Sequence, residues 1–140
     1  MAYLKLASFI ALAALAVACK DGAGGDGAAA ACPATNPREP HAWIDKMPGM
    51  NDNPTLHVTL KFDTPNAGDD YTLVFSGSEE SAPPAYFYDL ERVTVGNAAV
   101  VTEYDLHYRE PNFAEPSLRA VKINCGGKLF QEISPVEETH

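Results

Sequence analysis

Four side chains in the first half of this chain carry soft-ligand chemistry: His41, Met47, Met50 and His57. Imidazole and thioether donors suit monovalent copper, which makes this set the sharpest candidate metal site in the sequence. A plainer account makes Met47-Pro48-Gly49-Met50 a turn whose methionines fill gaps at the edge of a core. A second constellation is Glu103, Asp105, His107 and Arg109, which alternate along one stretch. Carboxylates beside an imidazole can hold a divalent ion or relay a proton. The same ladder is what a soluble sheet ordinarily shows to water. Tyr86, Tyr88, Tyr104 and Tyr108 offer large aromatic area with a polar tip, suited to a sugar or a partner protein, and equally suited to filling a small interior. From these groups the expected interaction surface is Tyr86, Tyr88, Glu103, Asp105 and His107.

Catalytic spacing is missing. Ser76-Gly77-Ser78 lacks the flanking glycines of a nucleophile elbow, no local pattern singles out a carboxylate pair, and there is no phosphate loop or dinucleotide fingerprint. The acidic loops at Asn51-Asp52-Asn53, Asp69-Asp70 and Glu79-Glu80 lack the ordered glycine and terminal glutamate of a calcium loop. No enzyme activity and no cofactor are therefore expected. Acidic residues outnumber basic ones 19 to 10, for a formal charge of −9. Such a surface repels phosphate backbones, so nucleic acid is not an expected partner.

The elements that must position these groups are short strands. Eleven prolines and ten glycines in 140 residues punctuate the chain often, which disfavours long helices. Residues 55–63 alternate strictly: Leu56, Val58, Leu60 and Phe62 fall on one face, and His57, Thr59, Lys61 and Asp63 on the other. Asn66 to Asp70 form a turn by composition, and Tyr71, Leu73 and Phe75 begin a second strand. Residues 86–95 change phase, since Tyr86, Tyr88 and Leu90 have one parity and Val93 and Val95 the other; a bulge near Glu91-Arg92 reconciles them. Gly96-Asn97 turns into a strand carrying Val100, Tyr104, Leu106 and Tyr108. Val121, Ile123 and Cys125 mark the next, and Gly126-Gly127 makes a hairpin of two or three loop residues into 128–133. Trp43 is expected to plug one end of the domain, and residues 137–140 to be frayed. Six strands at roughly ten-residue spacing predict an all-β fold, a small antiparallel β-sandwich of immunoglobulin- or fibronectin-like architecture, over residues 32–140. That likeness is architectural and transfers no function.

Ahead of this domain, Lys5 precedes an uncharged stretch, residues 6–18. It is too short to span a bilayer and matches the core of a signal peptide. The stretch ends in Leu15-Ala16-Val17-Ala18-Cys19, which resembles the lipobox of bacterial lipoproteins, with Ala16 where leucine is usual. The resemblance covers about the first twenty residues and implies removal of residues 1–18, diacylglycerol on the Cys19 sulfur and acylation of the new N-terminus. It makes the membrane a partner through the lipid, and two or more acyl chains give stable anchoring. Ala16-Val17-Ala18 also satisfies an ordinary secretory cleavage site, so a soluble periplasmic product is the alternative. Lys20 lacks the aspartate that in some lipoproteins signals inner-membrane retention, which favours the outer membrane. Residues 20–31, rich in glycine, alanine and aspartate, read as a tether spanning roughly 20 Å. The cysteine count agrees: three are present, and with Cys19 lipidated, Cys32 and Cys125 form the natural disulfide pair of an oxidising compartment. The expected role is a non-enzymatic envelope lipoprotein acting as a protein-interaction or structural module. The alternative is a periplasmic module that binds a metal ion or carbohydrate.

Overall fold

The computed structural model describes residues 31–48 and 53–140. Eight strands follow one another: β1 (Thr35–Asp45), β2 (Thr55–Thr64), β3 (Asp70–Glu79), β4 (Ala85–Thr94), β5 (Thr102–Glu110), β6 (Ala120–Cys125), β7 (Lys128–Ile133) and β8 (Glu137–Thr139). They form two four-stranded sheets, ordered β5-β2-β1-β8 and β3-β4-β6-β7, packed as the expected sandwich. The strict alternation of β2 is realised as read: Leu56, Val58, Leu60 and Phe62 are fully buried. They meet Tyr88, Ile123 and Val121 of the second sheet in one continuous core.

Four of the six strand pairings are antiparallel, whereas β1–β8 and β4–β6 are parallel. A parallel neighbour needs a long crossover. Between β4 and β6 the chain supplies it by passing through β5 on the opposite sheet.

Two strands were not expected. In β1 the register slips twice, between Thr35 and Arg38 and between Arg38 and His41, with Asn36 and Glu39 at φ 55° and 51°. Each slip contains a proline, Pro37 or Pro40, which a sheet tolerates at bulges and along unpaired edges. The tail, expected to fray, is instead β8. Glu137, Glu138 and Thr139 pair with Trp43, Ile44 and Asp45, the Lys46 amide donates to the Thr139 carbonyl at 2.9 Å, and Lys46 Nζ meets Glu138 at 2.7 Å.

The bulge foreseen near Glu91-Arg92 falls one residue on. Tyr71 pairs with Arg92 and Asp70 with Thr94, which leaves Val93 as the extra residue. The β6–β7 hairpin loop has two residues, since Cys125 pairs with Lys128. Gly126 and Gly127 sit at φ 60° and 77°, left-handed values that glycine adopts without strain. The Cys32–Cys125 disulfide, with Cα atoms 5.2 Å apart, joins the incoming chain to the end of β6. Closing a loop of 93 residues contributes about 4–5 kcal/mol by chain-entropy arguments.

Cys19, the expected leader and residues 19–30 of the tether lie outside the described residues, as do Met50 and the Asn51-Asp52 pair.

Candidate functional site

The outward face of the β5-β2-β1-β8 sheet carries most of the histidine chemistry. Trp43, which was expected to plug an end of the sandwich, lies on this face because its parity is opposite to the buried Ala42 and Ile44. His41 and His57 each stack on its indole, with ring centroids at 4.8 Å and 4.7 Å. His41 Nε2 also approaches Glu137 Oε2 at 2.9 Å. Burial, and then the charge of Arg109 directly across the β2–β5 ladder, lower the His57 pKa. Met47 follows β1 and is exposed. The two imidazoles of the soft-ligand set therefore share a face but are each engaged with the indole. Among the described residues no group of three or more His, Cys, Asp and Glu side chains is close enough to hold a metal.

The expected interaction surface is split between the two sheets. Glu103, Asp105 and His107 do line one outward row of β5, with Glu103 paired to Arg38 and His107 Nε2 at 3.2 Å from Asp105. Tyr86 and Tyr88 point the other way, into the sandwich from β4. Tyr88 is fully buried, because it shares the parity of Leu90 and stacks edge-on to Tyr108 at 5.5 Å. The five residues therefore do not form one surface.

The groups that do converge around an opening lie where edge strand β3 faces the end of β5. A cleft of about 300 Å³ is lined by Phe75, Tyr86, Glu110, Pro111, Asn112, Phe113 and Ala114. Phe75 is opposite Tyr88 in the β3–β4 register and so faces inward. It is nevertheless 48% exposed, on a strand at the edge of its sheet. Phe75 meets Tyr86 at 5.0 Å and Tyr86 meets Phe113 edge-on at 5.4 Å. The segment after β5 is pinned from below. The Phe113 amide donates to the Pro54 carbonyl at 2.8 Å, and Asn53 donates to Asn112 Oδ1 at 2.7 Å.

Acidic groups set the electrostatics of this cleft. The Tyr88 hydroxyl donates to Glu110 Oε2 at 3.0 Å. Burial first, and then the Glu110 carboxylate, push the Tyr88 phenol far up and the Tyr108 phenol up to about 12. Burial and neighbouring Glu115 raise Tyr86 as well. All three phenols are therefore held in their neutral form, which offers an O–H donor and an apolar ring face. The lining offers aromatic faces, one carboxylate and one side-chain amide, which equips it to hold a ligand that is apolar in its body and cationic or hydrogen-bonding at its tip.

In the sequence Phe75 falls on an alternating strand and Tyr86 and Tyr88 share one face, but no local pattern marks the cleft. Phe113 sits between Pro111 and Pro116 with no periodicity around it.

Comparison of the chain with protein-family models, with curated proteins and with solved structures gives no match.

Proposed function

We propose that this protein is a non-enzymatic envelope lipoprotein whose sandwich domain holds a partner protein at the end remote from its anchor. In this reading residues 1–18 are removed, Cys19 carries lipid, and the domain faces the periplasm from the outer membrane. A soluble periplasmic product is the alternative. Phe75 is the observation that carries the reading: an inward-facing aromatic on a sheet edge, half-exposed beside Tyr86 and Phe113 and close to the Glu110 carboxylate. Exposed aromatics beside a defined polar group are the kind of anchor point on which interface energy concentrates. An arginine or lysine side chain matches both components, its stem against the rings and its head toward Glu110. The net charge of −9 steers a basic partner toward the domain. The outer edge of β3 adds backbone groups for pairing with an extended segment.

Cross-linking in intact envelopes is expected to recover one stoichiometric protein. Phe75→Ser is expected to lower that recovery at least ten-fold, about 1.4 kcal/mol, with the circular dichroism of the domain unchanged. Recovery unaltered by Phe75→Ser, or turnover of a substrate by the purified protein, overturns the reading. The same cleft favours a second reading, a module for carbohydrate, since sugars also stack on aromatic rings beside a carboxylate. Thermal stabilisation by a sugar, abolished by Phe75→Ser, would replace the partner protein with that ligand. Stabilisation by a metal ion would shift attention to the face that carries His41 and His57.

A further inference from the structure

Eight large apolar side chains are exposed among the described residues, and five of them lie toward one end of the sandwich: Val93, Val95, Val100, Val101 and Leu129. Val93 is the penultimate residue of β4 and Val95 lies just beyond it, Val100 and Val101 precede β5, and Leu129 follows the β6–β7 turn. The disulfide holds Cys32, and with it the incoming chain at Ala31, beside that same turn. The apolar end is thus the end at which residues 1–30 join the domain. We infer that this end rests against the lipid bilayer, with the valines and Leu129 seated at the headgroup–acyl boundary. The inference depends on the lipid anchor of the proposed function.

Two further observations fit a bilayer as the occupant. Only twelve residues separate Cys19 from Cys32, and a glycine-rich segment of that length reaches roughly 20 Å on average, short enough to keep this end within contact distance of a membrane that holds Cys19. Four carboxylates at this end already have partners within the chain. Asp63 and Glu103 meet Arg38, Asp69 accepts from Thr64 and the Gly96 amide, and Asp70 accepts from the Tyr104 hydroxyl. Satisfied carboxylates lower the cost of approaching a zwitterionic surface, and exposed aliphatic groups bind such surfaces through buried apolar area. The cleft around Tyr86 lies at the opposite end of β4, eight residues from Thr94, or about 25 Å along the strand. Seating the valines on lipid therefore aims Phe75 and Glu110 away from the membrane.

The test uses the full lipidated chain in phosphatidylcholine vesicles. Trp43 is the only tryptophan, so Trp43→Phe combined with Val101→Trp gives a single reporter at a site that is 73% exposed; Trp43→Phe combined with Val74→Trp gives a control on the sheet face. The indole from Val101→Trp is expected to shift to shorter emission wavelength and to be quenched several-fold more by brominated acyl chains than the control. Flotation of the protein with the vesicles reads the anchor separately. Failure to float disproves the anchor, and the inference falls with it. Flotation with an unquenched reporter overturns the inference and leaves the anchor standing. A lipid-free dimer that buries the reporter assigns this end to a second copy of the chain and also overturns it.

Discussion

Asp69 is the residue on which the β2–β3 and β4–β5 connections converge. Its buried carboxylate accepts from the Thr64 hydroxyl, from the Gly96 amide at 2.7 Å and from the Asn66 amide at 3.3 Å, and it faces Arg92 at 3.5 Å. Burial alone would raise its pKa, but these donors outweigh burial and hold it at about 2. Because the folded value lies below the usual carboxylate range, the stabilisation is fully present above about pH 4. It is lost as the pH falls from there toward 2. Asp69→Asn should lower the urea midpoint at pH 7 and have a much smaller effect near pH 2, as read by denaturation at both pH values. Gly96 supports the same junction: a Cβ there would overlap the Ala67 carbonyl oxygen. Gly96→Ala should therefore cost about 1–3 kcal/mol, measured by the same titration. The sequence showed Asn66 to Asp70 as a turn because turn chemistry is local. It could not show what the carboxylate does, because Gly96 and Arg92 lie 27 and 23 residues away. Tyr88 followed its strand parity into the core, and only its hydroxyl found a carboxylate, Glu110, on the other sheet.

At the scale of elements, legibility followed regularity. β2 lies in the middle of its sheet and buries one face, so its alternation reads directly. The β6–β7 hairpin was legible from its paired glycines. β1 was not, because two prolines and two left-handed residues interrupt its period, and β8 was not, because three residues carry no period at all. β8 nevertheless covers the β1 edge at Trp43, Ile44 and Asp45 and ties down Lys46. Deleting residues 137–140 removes this pairing, and at about 1 kcal/mol net per hydrogen bond the expected loss is about 1–3 kcal/mol. Thermal unfolding should report it as a fall of several degrees. An unchanged midpoint would mean that the parallel pairing contributes nothing in solution. The cleft belongs to this scale too, since it forms where edge strand β3 meets the end of β5 and the segment that follows.

At the scale of the whole molecule, the sandwich and its covalent closure were both legible. The order of strands was not, because crossovers between sheets leave no local mark in a sequence. With the lipid anchor proposed above, Cys32→Ala should destabilise the domain by about 4–5 kcal/mol in chemical denaturation and leave membrane attachment intact. Cys19→Ala should do the reverse, releasing the protein while the domain keeps its unfolding midpoint. Fractionation and denaturation of the two variants separate anchoring from folding.

The position of the disulfide also determines how the domain would bear tension applied through its N-terminal chain. A pull on Ala31 passes through the sulfur bridge to β6, which is held on both sides by β4 and β7, so the load falls as shear across two ladders. Without the bridge the same pull would reach β1 first, at its proline-interrupted stretch, where β2 is its one hydrogen-bonded neighbour and a single ladder bears the load. Oxidised protein should therefore resist mechanical extraction at forces that open the reduced chain.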